Sequence, residues 1–333
     1  MAAGTKPTLP WNVRFSLSVL SAVSDFCRRS NGTINRRLFN VVDRKLPPNA
    51  NPVNGVISSD VTVDATRNLW FRCFVPSSAI SSAAASLPVV VFFHGGAFAF
   101  MSAASIPYDA LCRIFCSSYN AVVISVNYRL SPEHRLPSQY DDGFDVIKFL
   151  DQNQNGAVLP RVADVTKCFL AGDSAGANLA HHVAVRVCKE GLRIVKVIGL
   201  VSIQPFFGGE ERTKSEMELK RDPLISLDRS DWHWKAFLPN GSNRDHESVN
   251  VSGPNKLDIS GLDYPNTLVF TGGFDPLLDW QRRYYEWLRE SEKKAELIDF
   301  PNAVHAFYLF PELPQTSQFI SHVKDFITKQ INK

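Results

Sequence analysis

Five residues near the middle of the chain, Gly172-Asp173-Ser174-Ala175-Gly176, set a serine between two glycines. The apolar run Phe169-Leu170-Ala171 precedes them, and a stretch with helical spacing, Ala177 to Val187, follows. A serine on a sharp strand-to-helix turn projects its hydroxyl as a nucleophile, and side chains larger than hydrogen at 172 and 176 would strike neighbouring backbone. A hydroxyl is a poor nucleophile until a base accepts its proton, so Ser174 calls for a partner. Where a nucleophile sits on such a turn, a carboxylate and then a histidine follow it in chain order. Asp275 lies in the loop past the apolar run Thr267 to Thr271, with Pro276 placed to open the next helix, and His305 lies in the loop after Ala295 to Phe300. Asp279, the nearest rival carboxylate, falls one turn into that helix and reads as a helix-start charge. His181, His182, His233 and His246 match none of these places, and the first two, on the helix after Ser174, are expected to be structural.

A second signal, His94-Gly95-Gly96-Ala97-Phe98, follows directly on the strand-like run Val89 to Phe93. That is where backbone N–H groups can meet the negative oxygen that forms when a serine adds to a carbonyl. Gly95, Gly96, Ala97 and Ala175 are therefore the expected oxyanion environment. The chemistry all these residues would perform together is acyl transfer.

Such residues need a frame that brings positions 94, 174, 275 and 305 to one place. Apolar runs at Val89–Phe93, Ala121–Val126, Cys168–Ala171, Val197–Val201, Thr267–Thr271 and Ala295–Phe300 alternate with helical stretches such as Trp280–Glu290. That alternation predicts an α/β chain with a mainly parallel central sheet, flanked by helices on both faces. Val61–Val63 and Leu69–Val75, separated by Ala65 to Asn68, read as an antiparallel hairpin at the sheet edge, and Ser77 to Ser86 as a surface loop. Two segments break the alternation. Residues 1–45 are expected to form an N-terminal lid, and residues 46–333 the main domain, with a cap insertion around 205–262. Trp11, Phe15, Phe206, Phe207, Trp232, Trp234 and Phe237 either line a pocket under these covers or form local core.

The bulk numbers exclude several partners. The 333 residues carry 36 basic and 33 acidic side chains, a net charge of +3, too balanced for a nucleic-acid footprint. No apolar run reaches the ~18 residues of a membrane span, and Phe15 to Val23, interrupted by serines and ended by Asp25, reads as a short amphipathic helix rather than a leader. Six scattered cysteines have neither zinc nor redox spacing and read as buried thiols in a reducing, cytoplasmic or nuclear setting. Sequons at Asn31, Asn240 and Asn250 would matter only in a secreted protein. No metal or cofactor is expected, the expected partner is a small molecule, and nothing points to a particular protein partner.

His94-Gly-Gly-Ala-Phe, Asn127-Tyr-Arg-Leu-Ser-Pro-Glu-His-Arg-Leu-Pro137 and Gly-Asp-Ser-Ala-Gly, with Asp275 and His305 downstream, together resemble the hormone-sensitive-lipase-like group of plant carboxylesterases. The match runs over most of the chain from about residue 55. It implies an α/β-hydrolase fold, with Ser174, His305 and Asp275 as the triad. Asn31-Gly-Thr-Ile-Asn-Arg-Arg-Leu and Leu46-Pro-Pro-Asn-Ala-Asn-Pro-Val-Asn-Gly resemble the lid and following segment of the plant gibberellin receptors. Those receptors retain the serine and lack the triad histidine, whereas this chain has His305. Ala97 stands where the family has a third glycine, so a methyl is expected to crowd one side of the acyl pocket.

The expected function is hydrolysis of small-molecule carboxylic esters through an acyl-enzyme. The alternatives are a hormone-type receptor that closes over a ligand without cleaving it, and a dehydratase on the same scaffold.

Overall fold

The computed structural model describes residue 7 and residues 9–80, 86–153 and 158–333. In chain order the elements are α1 (Trp11–Cys27), α2 (Arg36–Val42), β1 (Val56–Asp64), β2 (Leu69–Pro76), α3 (Ser77–Ile80), β3 (Leu87–Phe93), α4 (Ile106–Tyr119), β4 (Val122–Asn127), α5 (Ser138–Gln152), β5 (Ala163–Asp173), α6 (Ala175–Glu190), β6 (Val197–Ile203), α7 (Lys214–Glu218), α8 (Leu227–Phe237), β7 (Asn266–Phe274), α9 (Leu278–Glu290), β8 (Ala295–Val304) and α10 (Pro314–Ile331). The strands form one sheet in the order β1-β2-β4-β3-β5-β6-β7-β8. β1 and β2 pair antiparallel, as does β2 with β4, and every later pairing is parallel. This is the α/β-hydrolase architecture.

Side-chain alternation along β3 shows why the sheet is covered twice. Val89, Val91 and Phe93 enter one core with residues of α5, α6 and α9, while Val90 and Phe92 enter the other with residues of α4 and α10. A strand buried on both faces reads as an unbroken apolar run, because both pleat directions meet helices. All seven residues of β3 are buried.

The edge hairpin is longer than its apolar signal. β1 starts at Val56 rather than Val61, because its polar Ser58, Ser59 and Asp60 still pair with β2. The stretch from Ser77 to Ser86 begins as a single helical turn, α3, and its residues 81–85 lie outside the described residues. Helix α9 opens at Leu278, not Pro276, because the Asp275 carboxylate caps the intervening turn through the Leu277 N–H. Cys188 is half-buried, unlike the other five thiols. Asn250 is buried with its amide donating to Asp245, which removes it as a glycosylation acceptor.

Helix α1 presents Val13 and Leu17 to the α4/α10 core, while Cys27, Ile34 and Phe39 pack on Ala99 and Phe100. Asp25 pairs with Arg28 and with Arg229 of α8, which ties the N-terminal helices to the 205–262 segment. No helix among the described residues is long and apolar enough to cross a membrane.

Candidate active site

Ser174 sits between the end of β5 and the start of α6 with φ 52° and ψ −118°. A non-glycine residue adopts that backbone only when its surroundings enforce it, and such strain gathers at functional sites. The surroundings are the two glycines. A Cβ on Gly172 would lie 2.2 Å from the Gly176 carbonyl oxygen, and one on Gly176 would lie 1.9 Å from that of Phe93. The turn closes only because neither has one.

The structure brings Ser174, His305 and Asp275 together at the carboxyl ends of β5, β8 and β7. His305 Nε2 is 3.0 Å from Ser174 Oγ, and Nδ1 is 2.7 Å from Asp275 Oδ2. All three side chains are buried. Burial works against a charge on the His305 ring. The Asp275 carboxylate, by its charge and its hydrogen bond, and the farther Asp222 and Asp173 outweigh it, so the imidazole titrates above its ordinary value. Asp279 is removed from the site: its carboxylate accepts the Ser215 N–H, joining α9 to α7.

Asp275 is held from all sides. Besides His305, its Oδ2 accepts from Gln204 Nε2 at 3.0 Å and Gln281 Nε2 at 2.8 Å, and Oδ1 accepts from the Leu277 N–H. Gln204 also donates to the Val304 carbonyl and accepts the Ala306 N–H, gripping the histidine loop on both sides. Neither glutamine figured in the sequence reading. The signal for Gln204 is its place one residue beyond β6, at the same end of the sheet that marks Asp275 and His305.

The oxyanion environment needs one correction. The Gly95 N–H donates inward, to Asp173 Oδ1 at 2.8 Å and Tyr108 Oη at 2.9 Å, so it is not available to a reacting oxygen. Gly96 and Ala97 donate to no acceptor among the described residues, and Ala175 opens α6, where a helix has no internal acceptor for its N–H. The donor set is therefore Gly96, Ala97 and Ala175. Gly96 has φ 103°, and a Cβ there would meet the Phe100 carbonyl at 2.4 Å. Ala97 takes a left-handed φ of 52° despite its methyl.

Asp173 anchors this loop from below. Tyr108 and Tyr308 donate to its Oδ2 at 2.8 and 2.7 Å, and burial pushes its pKa up to about 6 against these bonds. Arg36 of α2 anchors it from above, donating to the carbonyls of Ala99 and Ser131 and pairing with Glu133. The Asn127–Pro137 motif thus includes an ion-pair network, completed by the bond between Arg129 and Asp142.

Ser174, His305, Gly96 and Ala97 open into a cavity of about 740 Å³, counting space continuous with solvent at its mouth. Of the seven aromatic residues considered from sequence, only Phe206 lines it. Trp11 and Phe15 are exposed, and Trp234 and Phe237 stack on Phe206 and Phe98 at 4.0 and 3.9 Å, behind the lining. The walls come from α1 and α2 (Leu20, Phe39), the oxyanion loop (Phe100, Met101) and the 205–262 segment (Leu224, Ile225). His233 also lines it, whereas His181 is bonded to Tyr264 in the core. Among the described residues no cluster of three or more His, Cys, Asp or Glu side chains is arranged to hold a metal.

A family model for the alpha/beta hydrolase fold matches residues 90–309. The chain is 38% identical to the gibberellin receptor GID1C of Arabidopsis thaliana, over 98% of this chain and 96% of the other. It is 33% identical to carboxylesterase 20 of the same plant, over 89% of this chain and 93% of the other. Among solved structures, a hyperthermophilic esterase from the archaeon Pyrobaculum calidifontis aligns with a TM-score of 0.73 and 25% identity, covering 97% of this chain and 99% of that one.

Proposed function

This chain belongs to the α/β-hydrolase fold family, and from that premise we propose that it is a serine carboxylesterase acting on small-molecule esters, with Ser174, His305 and Asp275 as its triad. The observation that carries the reading is the unbroken hydrogen-bond relay from Asp275 through His305 to Ser174 Oγ, at 2.7 and 3.0 Å. Ser174 Oγ adds to the ester carbonyl while His305 Nε2 takes the hydroxyl proton. The carbonyl oxygen becomes an anion facing the N–H groups of Gly96, Ala97 and Ala175, and the positive end of α6 favours charge there. Collapse breaks the bond to the alcohol oxygen, which leaves with the proton from His305. Water, deprotonated by the same ring, then releases the acid and restores the Ser174 hydroxyl. Asp275, bonded to Nδ1, fixes which ring nitrogen faces the serine. The N-terminal helices and the 205–262 segment serve as the covers that give the pocket its apolar walls.

A chromogenic ester series of increasing acyl length, run on the parent and on Ser174→Ala, tests the reading. Hydrolysis by the parent that disappears in Ser174→Ala supports it; equal hydrolysis by both sinks the assignment. A second reading, a receptor that closes over a ligand without cleaving it, is favoured by the 38% identity to a gibberellin receptor. An inactive parent that captures a partner protein in the presence of a gibberellin, with Ser174→Ala doing the same, would replace the esterase reading with that one.

A further inference from the structure

The Asn127–Pro137 motif takes no part in the relay, yet several of its residues face a second cleft. Asn127, Tyr128, Arg129, Leu130 and His134 line an open cavity of about 830 Å³ at the carboxyl end of β4, counting space continuous with solvent. Arg67 and Trp70 of the β1–β2 hairpin and Lys45, from the segment after α2, complete the polar part of its wall. Met101 lines both this cleft and the cavity over Ser174, so one flexible side chain forms a wall shared by the two.

The charge on that wall has one sign. Lys45, Arg67 and Arg129 line the cleft and no carboxylate does. The carboxylates paired with the two arginines, Asp64, Asp142 and Asp145, lie outside the wall, and Asp142 is fully buried. Lys45 has no ion pair among the described residues: its ammonium donates to Asn40 Oδ1 at 3.3 Å, and the nearby Asp43 carboxylate is buried and bonded to Ser105. Backbone bonds from Ile106 to Arg44 and from Leu46 to Ala104 clamp the chain on either side of Lys45, which fixes the root of its side chain at the cleft. Arg129 Nη1 and Asn127 Nδ2 donate to no acceptor among the described residues. Free donors and unopposed positive charge call for an anion, and Trp70, Met101, Ala104 and Leu130 offer apolar surface to a hydrocarbon tail. A carboxylate on such a tail accepts only and is ionised at neutral pH. Ester hydrolysis makes that group at Ser174, on the other side of Met101.

We propose that the cleft behind the oxyanion loop is a carboxylate-binding site, with Lys45 and Arg129 as its charged donors. The carboxylate comes from the acid that hydrolysis releases or from a free carboxyl group carried by the substrate. Its place in the reaction rests on the esterase reading, whereas the binding itself does not.

Calorimetric titration with sodium hexanoate tests the site, because Lys45 lines the cleft and not the cavity over Ser174. Lys45→Ala raises the Kd about 5-fold, Lys45→Glu raises it further, and Lys45→Arg restores most of the affinity. Inorganic phosphate, which has no tail, binds more weakly than hexanoate. Absence of hexanoate binding, or a Kd unchanged by Lys45→Ala and Lys45→Glu, overturns the proposal; phosphate binding as tight as hexanoate overturns the choice of carboxylate. A kinetic pair distinguishes the two sources: mono-4-nitrophenyl glutarate, which keeps a free carboxylate, and its methyl ester. A parent kcat/KM that favours the charged member about 5-fold, and loses that preference in Lys45→Ala, assigns the carboxylate to the substrate. Equal rates for the pair, with hexanoate binding still dependent on Lys45, assign it to the released acid. Lys45-dependent binding in a parent that hydrolyses neither ester overturns the esterase reading and leaves the site standing, whereas hydrolysis without such binding does the reverse.

Discussion

Removing the Ser174 hydroxyl or the His305 ring deletes a whole relay rather than one contact, so each single variant should lose nearly all that the double variant loses. Ser174→Ala and His305→Ala are expected to lower kcat by about 10⁴- to 10⁶-fold, and the double variant hardly further. Steady-state rates with a nitrophenyl ester check this; additive losses would mean the two side chains act separately. His305 must be neutral to accept the serine proton, so activity falls as pH drops through its folded-state pKa. Because that pKa is raised by Asp275, the acid limb of kcat/KM should lie above about pH 6.5, the ordinary imidazole value. Asp275→Asn removes the principal raising contribution, so the limb should move to lower pH while kcat drops by roughly 10³- to 10⁴-fold. A pH profile unmoved by Asp275→Asn would detach the carboxylate from the titration. At Gly176 the added methyl of an alanine would overlap the Phe93 carbonyl. Gly176→Ala should cost roughly 3 kcal/mol or more of stability, read as a lowered thermal midpoint.

At the scale of elements, the oxyanion loop is held between a buried aspartate and an arginine that comes from another part of the chain. The left-handed backbone at Ala97, Phe98 and Met101 is unfavourable by itself and persists because Asp173 grips Gly95 while Arg36 grips Ala99. α2 therefore holds this loop as well as lining the pocket. Arg36→Ala should reduce kcat about 10-fold with a smaller change in KM, since the Gly96 and Ala97 amides lose their fixed aim at the transition state. Arg36→Lys, which cannot reach two carbonyls and Glu133 together, should recover only part of the loss. An equal fall in ground-state and transition-state binding, read from KM and from the affinity of a phosphonate, would reduce Arg36 to a structural clamp.

Over the whole molecule, stability is not uniform. The strands β3 to β7 are enclosed by helices on both faces, whereas α1 and α2 rest on one small cluster, a few residues of the α4/α10 core and partly exposed ion pairs such as Asp25–Arg229. Exposed pairs contribute about 0–1 kcal/mol and weaken with salt. Hydrogen exchange should show α1 and α2 opening long before the central strands. A phosphonate attached to Ser174 should then raise protection in α1 and α8, two of the helices whose residues line the same cavity. Unchanged exchange in both would separate them from the pocket.

The sequence by itself determined the parallel sheet, the turn at Ser174, and the loops that carry Asp275 and His305, because each leaves a local mark. Those marks are an apolar run buried on both faces, a glycine pair around a serine, and a polar residue past a strand end. Boundaries were less legible where polar residues kept their pairing, as in the first half of β1. What only the tertiary structure decided is which way each group faces. Gly95 and Gly96 are adjacent and identical in type, yet one amide points to Asp173 and the other has no acceptor among the described residues, a difference set by Asp173, 78 positions along the chain, together with Tyr108. In the same way Arg36 and Gln204 gain their roles from neighbours 63 and 71 positions away. Spacing along a chain records period and order, whereas a hydrogen bond depends on direction in space, and direction is fixed only when the separate strand ends have been packed together.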